Sequence, residues 1–132
     1  MNMVVRALLL LLLAGCASMP PAGVPLTGRW GGEHVGLELT ASGGNLDYDC
    51  ATGRIDGPVR PTADGTFRAL GTHTPGTGGP ERVGVAPPSH VARYEGQVRA
   101  GRMILQVRVA NGVLVGPLTL RPGARPMFLR CL

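Results

Sequence analysis

Apolar and polar residues alternate along most of the chain, beginning with Val35, Leu37 and Leu39 on one side and Glu38 and Thr40 on the other. A repeat of two residues is typical of a β-strand that buries one face and exposes the other. Comparable alternation returns along the rest of the chain. The sequence therefore predicts eight strands, at 34–40, 46–50, 54–59, 67–69, 91–99, 102–109, 113–120 and 127–131.

Short turn signals separate most of these strands. Asp64-Gly65, Ala100-Gly101 and Asn111-Gly112 are dipeptides that favour tight hairpin turns. The exception is the segment 72–89, which is rich in proline and glycine and which we expect to be an irregular loop. The part of the sequence that follows the first fifteen residues shows no helical repeat.

Consecutive strands joined by short turns favour an up-and-down antiparallel sheet. Closing such a sheet removes the exposed edges that invite aggregation. We therefore predict an all-β fold, a small eight-stranded antiparallel up-and-down barrel that occupies residues 27–132 as a single domain. A two-sheet β-sandwich of the same strands is the alternative.

The first residues have the composition of an export signal. Arg6 precedes an apolar run that includes unbroken leucine from Leu8 to Leu13, and Pro20-Pro21 follows soon after. A short basic region before a short apolar one is typical of a signal peptide. The prolines end any helix well before the roughly 20 apolar residues that a membrane span needs. We expect residues 1–15 to be removed.

The sequence Leu13-Ala14-Gly15-Cys16 resembles the lipobox of bacterial lipoprotein precursors. The resemblance implies cleavage before Cys16, a diacylglyceryl group on its sulfur and acylation of the freed amine, which would anchor the chain in a lipid bilayer. Residues 16–26, rich in proline and small residues, would then form a flexible tether. By resemblance to sorted lipoproteins, the lack of Asp after Cys16 implies the inner leaflet of the outer membrane, facing the periplasm.

Two cysteines remain for the folded domain, Cys50 and Cys131. Disulfides persist in exported proteins, so we expect these two residues to pair. A metal site built on them lacks the close ligand spacing that zinc needs. The two strands predicted to carry them both flank the first strand and are not neighbours, so the bond requires the chain ends to bend over the rim of the barrel.

The chain is basic, with a net charge of +5 that falls to about +4 when Arg6 is removed, and all thirteen of its basic side chains are arginine. Export and the scarcity of aromatic residues argue against nucleic acid as a partner. Anionic envelope polymers and lipid head groups are the expected counter-charges.

Gly28-Arg29-Trp30 resembles the Gly-x-Trp motif of the calycins, a superfamily of small barrels that includes lipocalins and avidins. The resemblance implies that Trp30 plugs one end of the barrel and that Arg130 packs over its ring through a cation–π contact.

A second resemblance is to the membrane-bound C-type lysozyme inhibitors, which are also small exported lipoprotein barrels. It rests on Tyr48-Asp49-Cys50, on the run from Ser89 to Tyr94 and on Cys131. It implies that Ser89 enters the cleft of a lysozyme. Val91 replaces the glycine of the family's loop, and the domain is basic, as lysozymes usually are, so like charges oppose the association.

This second resemblance makes Ser89, Arg93 and Tyr94 the candidate partner-binding residues. Residues 92–94 also fit the alternation of an ordinary strand, in which case they have no such role.

No catalytic constellation is apparent in the sequence, and we predict neither enzymatic activity, nor a cofactor, nor a metal site. His34, His73 and His90 are each isolated from carboxylates at ligand spacing, and Asp47 and Asp49 fit the solvated face of a strand. Ser89 and His90 are adjacent, and neighbours on an extended chain point apart.

The expected function is therefore non-enzymatic binding or structural support of the envelope, with three classes of partner. A small apolar ligand would lie inside the barrel. A protein would bind the loop at 72–89, since function concentrates on such loops. An anionic glycan would bind the arginines. The apolar-ligand hypothesis involves Leu37, Tyr48, Phe67, Tyr94, Leu105 and Leu118.

Overall fold

The computed structural model describes residues 22–76, 83–129 and 131. The predicted signal peptide, Cys16, the first part of the tether, the centre of the proline- and glycine-rich loop and Arg130 lie outside the described residues. The part of the chain that is described contains no helix long and apolar enough to cross a membrane.

Eight strands form one closed barrel, in which each strand pairs antiparallel with its neighbour in sequence and the first pairs with the last. This confirms the predicted eight-stranded up-and-down barrel, and the sandwich alternative is wrong because no open edge separates two sheets. The strands are β1 (Gly28–Gly32), β2 (Val35–Thr40), β3 (Gly43–Tyr48), β4 (Ala51–Ile55), β5 (Thr66–Pro75), β6 (His90–Arg99), β7 (Arg102–Val109) and β8 (Leu114–Pro122).

The count of eight strands was predicted, but the set differs at both chain ends. β1 was not predicted as a strand, because three of its five residues are glycine and it shows little alternation. The predicted strand at 127–131 is wrong, since its described residues form only an isolated parallel bridge between Glu33 and Met127. β5 runs on to Pro75, so the long connection to β6 comprises residues 76–89 rather than 72–89.

The barrel has two distinct ends because the strands alternate in direction. We call one the entry end, where β1 begins and where residues 22–27, 56–65 and the β6–β7 turn lie. Backbone hydrogen bonds join Leu26 N to Val59 O at 2.8 Å and Val98 N to Gly65 O at 2.9 Å across this end. The other is the disulfide end, which contains the β3–β4 turn and the 76–89 connection.

The β6–β7 turn confirms the hairpin predicted at Ala100-Gly101. Both residues have positive φ, 51° and 71°, as a two-residue turn that follows the twist of its strands requires. The turn places Arg99 directly opposite Arg102.

Inward-pointing side chains fill the barrel. Tyr94 and Phe67 are buried aromatic groups of the interior, and each lies against a glycine of another strand. A Cβ on Gly96 would lie 2.7 Å from Phe67 Cε1, and one on Gly53 would likewise overlap the Tyr94 hydroxyl. Leu26 and Val59 are buried at the entry end. Large aromatic side chains thus occupy the space that glycines leave open in the interior.

The segment after β8 crosses the outside of the barrel. A Cβ on Gly31 would lie 2.9 Å from the backbone N of Pro126, and one on Gly36 would lie 3.1 Å from Pro126 Cγ, so these glycines form a smooth strip on β1 and β2 under the segment. Farther along, Leu129 N donates to Asp49 Oδ1 at 2.7 Å.

This crossing brings Cys131 to the β3–β4 turn. The Cys50 and Cys131 Cα atoms are 5.4 Å apart and the sulfurs are bonded, which confirms the predicted disulfide. The expected difficulty, two strands separated by a third, does not arise because Cys131 is not on a strand of the barrel.

Gly31→Ala tests whether the crossing segment needs a bare backbone beneath it. The new Cβ would meet the carbonyl group of Ala124 and the backbone of Pro126, which are part of the covering main chain. We expect a loss of about 1–3 kcal/mol in the free energy of unfolding, as for other overpacked contacts. Urea denaturation measures it.

Gly36→Ala is the matched control for that variant. The atoms nearest to its Cβ are in the side chains of Pro126 and Phe128, at 3.1 Å or more, so a small shift suffices and we expect a change of less than about 1 kcal/mol. Equal losses in the two variants would show that the segment does not rest on Gly31.

Candidate binding surface

The predicted ligand-lining residues are part of the packed interior. Leu37, Phe67, Tyr94 and Leu105 are buried in one continuous hydrophobic cluster, and Leu118 packs against it partly buried. The side chains proposed to contact an apolar ligand therefore contact one another. This arrangement gives no support to the small-ligand hypothesis.

A small polar group interrupts this core below the disulfide end. The Tyr94 hydroxyl donates to the carbonyl of Thr72 at 2.5 Å. The Tyr48 hydroxyl and His73 Nδ1 are buried without a hydrogen-bond partner among the described residues, and the Tyr48 and His73 rings lie 5.5 Å apart. His90 is the cross-strand neighbour of His73. Within the described ranges, no three His, Cys, Asp or Glu side chains come together as a metal site.

Burial determines the protonation of this group. Removal from water raises the pKa of the Tyr48 hydroxyl and, despite hydrogen bonding, raises that of Tyr94 to about 12. Burial, together with the nearby His90, lowers the pKa of His73. All three side chains are therefore neutral near pH 7.

The structure separates the residues predicted to bind a partner. Ser89 is exposed just before β6 and Arg93 is exposed on the outer face of that strand. Tyr94 is fully buried inside the barrel, so its assignment to an exposed binding loop must be corrected. Successive residues of a strand point to opposite faces, and Arg93 and Tyr94 cannot both face a partner.

Trp30 is buried, at 8% exposure, and lies opposite Leu37 on the inner face. This position suits the predicted plug. The contact with Arg130 lies outside the described residues and stays a prediction.

The outer face of β5 to β8 is strongly basic, and we call it the arginine face. Six exposed arginines lie on these four strands, and Glu95 is the only acidic residue in them. The arginines of this face are Arg68, Arg93, Arg99, Arg102, Arg108 and Arg121.

Like charges are paired directly across this face. Arg93 lies opposite Arg108, and Arg99 lies opposite Arg102. Glu95 partly neutralises the first pair, at 3.9 Å from Arg93 and 3.3 Å from Arg108. Like charges opposite one another destabilise a sheet, so the arrangement has a cost that an anionic ligand would remove.

Four of the acidic residues lie on the other side of the barrel, around β1 to β3. Asp49 contacts His34 Nδ1 at 2.6 Å, and Glu38 lies 4.0 Å from Arg29. Glu33 and Asp47 belong to the same side. The molecule therefore carries separated positive and negative faces.

Exposed apolar side chains border the arginine face toward the disulfide end. Leu70 is the cross-strand neighbour of Arg93, and Leu114 is that of Arg108. Leu70, Val91 and the two arginines line one shallow depression. A ligand here would meet paired guanidinium groups with apolar surface beside them.

Sequence reasoning missed this surface because its arginines are dispersed along the chain. A signal was nevertheless present in the sequence. Arg99 and Arg102 directly flank the Ala100-Gly101 turn, and Arg93 lies as far before the turn as Arg108 lies after it. Such symmetry about a hairpin turn places the residues opposite one another on the same face.

Comparison of the chain with protein-family models, with curated proteins and with solved structures gives no match.

The buried His73 predicts a loss of stability in mild acid. Its pKa is lowered in the folded state, so below about pH 6.5 the unfolded chain binds a proton that the folded barrel does not, and unfolding becomes more favourable as pH falls. Urea denaturation between about pH 7 and about pH 5 should show this decline. His73→Phe should reduce the decline, and an unchanged pH dependence would rule out His73 as its source.

Proposed function

We propose that this protein is a lipid-anchored bacterial envelope protein, a non-enzymatic binding module that holds an anionic glycan of the envelope on its arginine face. The resemblance of Leu13-Ala14-Gly15-Cys16 to a lipobox supports the anchor, and the lack of Asp after Cys16 supports the location, at the periplasmic face of the outer membrane. The charge and the filled interior of the barrel support the mode of binding.

One observation carries the choice of ligand, namely the direct pairing of Arg93 with Arg108 on a face with six arginines and one glutamate. Guanidinium groups bind carboxylate, sulfate or phosphate oxygens through paired, charge-assisted hydrogen bonds. Two of them side by side suit a polymer with regularly spaced anionic groups. Because the core is packed, binding on the outside is favoured over a ligand held within.

This proposal predicts that the full chain binds a polyanionic polysaccharide such as dextran sulfate and not neutral dextran. Binding should weaken with salt, since attachment releases counterions. Replacing Arg93 and Arg108 by glutamine should weaken binding and lower the slope of log K against log salt by about one for each arginine removed. Isothermal titration at several salt concentrations measures both quantities.

Arg29→Gln with Arg54→Gln is the matched control, because it removes the same charge from outside the arginine face. Both residues lie beside carboxylates, Arg29 beside Glu38 and Arg54 beside Asp56. This variant should keep most of the affinity. If the two double variants lose affinity equally, net charge and not the arginine face explains binding.

A second candidate is protein binding at the disulfide end. Val83 and Val85 of the 76–89 connection are exposed there, as are Phe128 and Leu129 beside the β3–β4 turn. Large exposed apolar residues mark partner sites when they cluster. Ser89, at the end of the same connection, is exposed and free to approach a cleft.

Lysozyme is the first partner to test, with cell-wall lysis followed by turbidity. If this candidate is right, the chain slows lysis and Ser89→Arg removes the effect, because a long charged side chain would obstruct entry to the cleft. Arg93→Gln with Arg108→Gln should change this inhibition little. No slowing by the unaltered chain would count against the candidate.

A further inference from the structure

The chain enters the barrel at the end that carries the highest density of positive charge without carboxylate partners. Gly23 N donates to Pro61 O at 3.0 Å, and Arg60 Nη1 donates to Gly23 O at 2.9 Å, which fixes the start of the described chain against the 56–65 loop. The described part of the chain therefore begins at the entry end.

Four exposed arginines lie at or near this end, and we call them the arginine rim: Arg60, Arg99, Arg102 and Arg121. Arg121 also lines a depression with Glu33 and His34. Arg99 and Arg102 flank the β6–β7 turn, and the pairing of Met103 with Leu120 sets Arg102 next to Arg121 on β8. Among the residues that the structure describes, no ion pair includes any member of the rim.

The described carboxylates at the entry end make no ion pair with the rim. Glu38 and Asp56 lie beside Arg29 and Arg54. Asp64 is turned into its own loop, where the Thr62 and Thr66 hydroxyls donate to it. The remaining acidic residues of β1 to β3, including Asp49, lie toward the disulfide end. The barrel is thus polarised along its axis as well as around it.

The proposed lipid anchor limits how far this end lies from a bilayer. Cys16 precedes Gly23 by seven residues, which span at most about 25 Å when fully extended. A short tether keeps the attached surface at an effective concentration on the order of mM, so weak contacts suffice to hold it. The entry end is the part of the barrel that this arrangement presents to the lipid head groups.

We propose that the arginine rim docks on anionic phospholipid head groups of the membrane that holds the anchor, so that the barrel stands with its disulfide end outward. This inference rests on the proposed anchoring of Cys16. It assigns a lipid partner to the arginines at one end of the arginine face. Guanidinium groups bind lipid phosphates in the same paired manner as other oxyanions. Docking leaves Arg93 and Arg108, at the other end of the face, free for a glycan.

Hydrogen exchange on the full chain, reconstituted from detergent into vesicles, tests the orientation. One set of vesicles is phosphatidylcholine alone, and the other also contains phosphatidylglycerol. We expect the anionic vesicles to slow amide exchange severalfold at the β6–β7 turn, residues 99–102, and to lose this effect at high salt. The β7–β8 turn at 110–113, which lies at the opposite end, should exchange equally in both.

Two double variants separate the rim from the rest of the arginine face. Arg99→Gln with Arg102→Gln should remove the protection, since each arginine near an anionic surface strengthens attachment about fivefold. Arg93→Gln with Arg108→Gln makes the same change of charge on the same two strands and should leave the protection intact. Equal exchange in the two lipids, or equal loss in the two variants, would overturn the proposal.

The source of the anionic groups is tested in the same experiment. If dextran sulfate added to the chain in phosphatidylcholine vesicles slows exchange at residues 99–102 as much as the anionic lipid does, the rim binds polyanions in general and its assignment to lipid is wrong. Mass spectrometry of the same preparation reports acylation of Cys16. Without acyl groups the anchoring proposal fails by itself, while exchange with anionic vesicles in excess still shows whether the rim binds them.

Discussion

Closure of the barrel depends on how closely backbones approach one another around β1. This strand is five residues long and pairs with β8 at only two positions, Trp30 with Pro122 and Gly31 with Arg121. Side chains on Gly31 and Gly32 would overlap carbonyl groups of the segment after β8 and of β8 itself. Without these bare positions the seam would open, exposing both an unpaired strand edge and the core behind it. The crossing segment and the disulfide hold the seam from outside.

The sequence predicted those elements in which a side chain must choose between core and solvent. β2, β6 and β7 alternate clearly because one face of each packs inward, and their turns carry the residues that tight hairpins need. β1 could not be found in this way, since glycine has no side chain to assign to a face. The segment at 127–129 was misassigned because a run of apolar residues suggested a buried strand. Phe128 instead lies outside the barrel, against Gly36 of β2.

The candidate site was predicted less well than the fold. The pairing of Cys50 with Cys131 followed from chemistry and was confirmed, although the path that joins them was unexpected. The role given to Tyr94 failed because a local motif does not reveal which face of a strand a residue occupies, whereas Arg93 beside it is exposed. The arginine face was not foreseen, since its arginines are dispersed singly over four consecutive strands and form no basic run in the sequence. Dispersed charges can be recognised as one surface only when the register of the strands is known.

The contacts between aromatic side chains and glycines inside the barrel determine how easily a cavity could form there. The Phe67 ring lies against Gly96 of the adjacent strand, and the Tyr94 hydroxyl lies against Gly53 of β4, so neither glycine offers a side chain that can move into the space if a ring is lost. A void made there would persist, because cavities in packed interiors relax only partially. One shortened ring would therefore give the barrel an internal chamber, so very few substitutions separate a filled barrel from a hollow one.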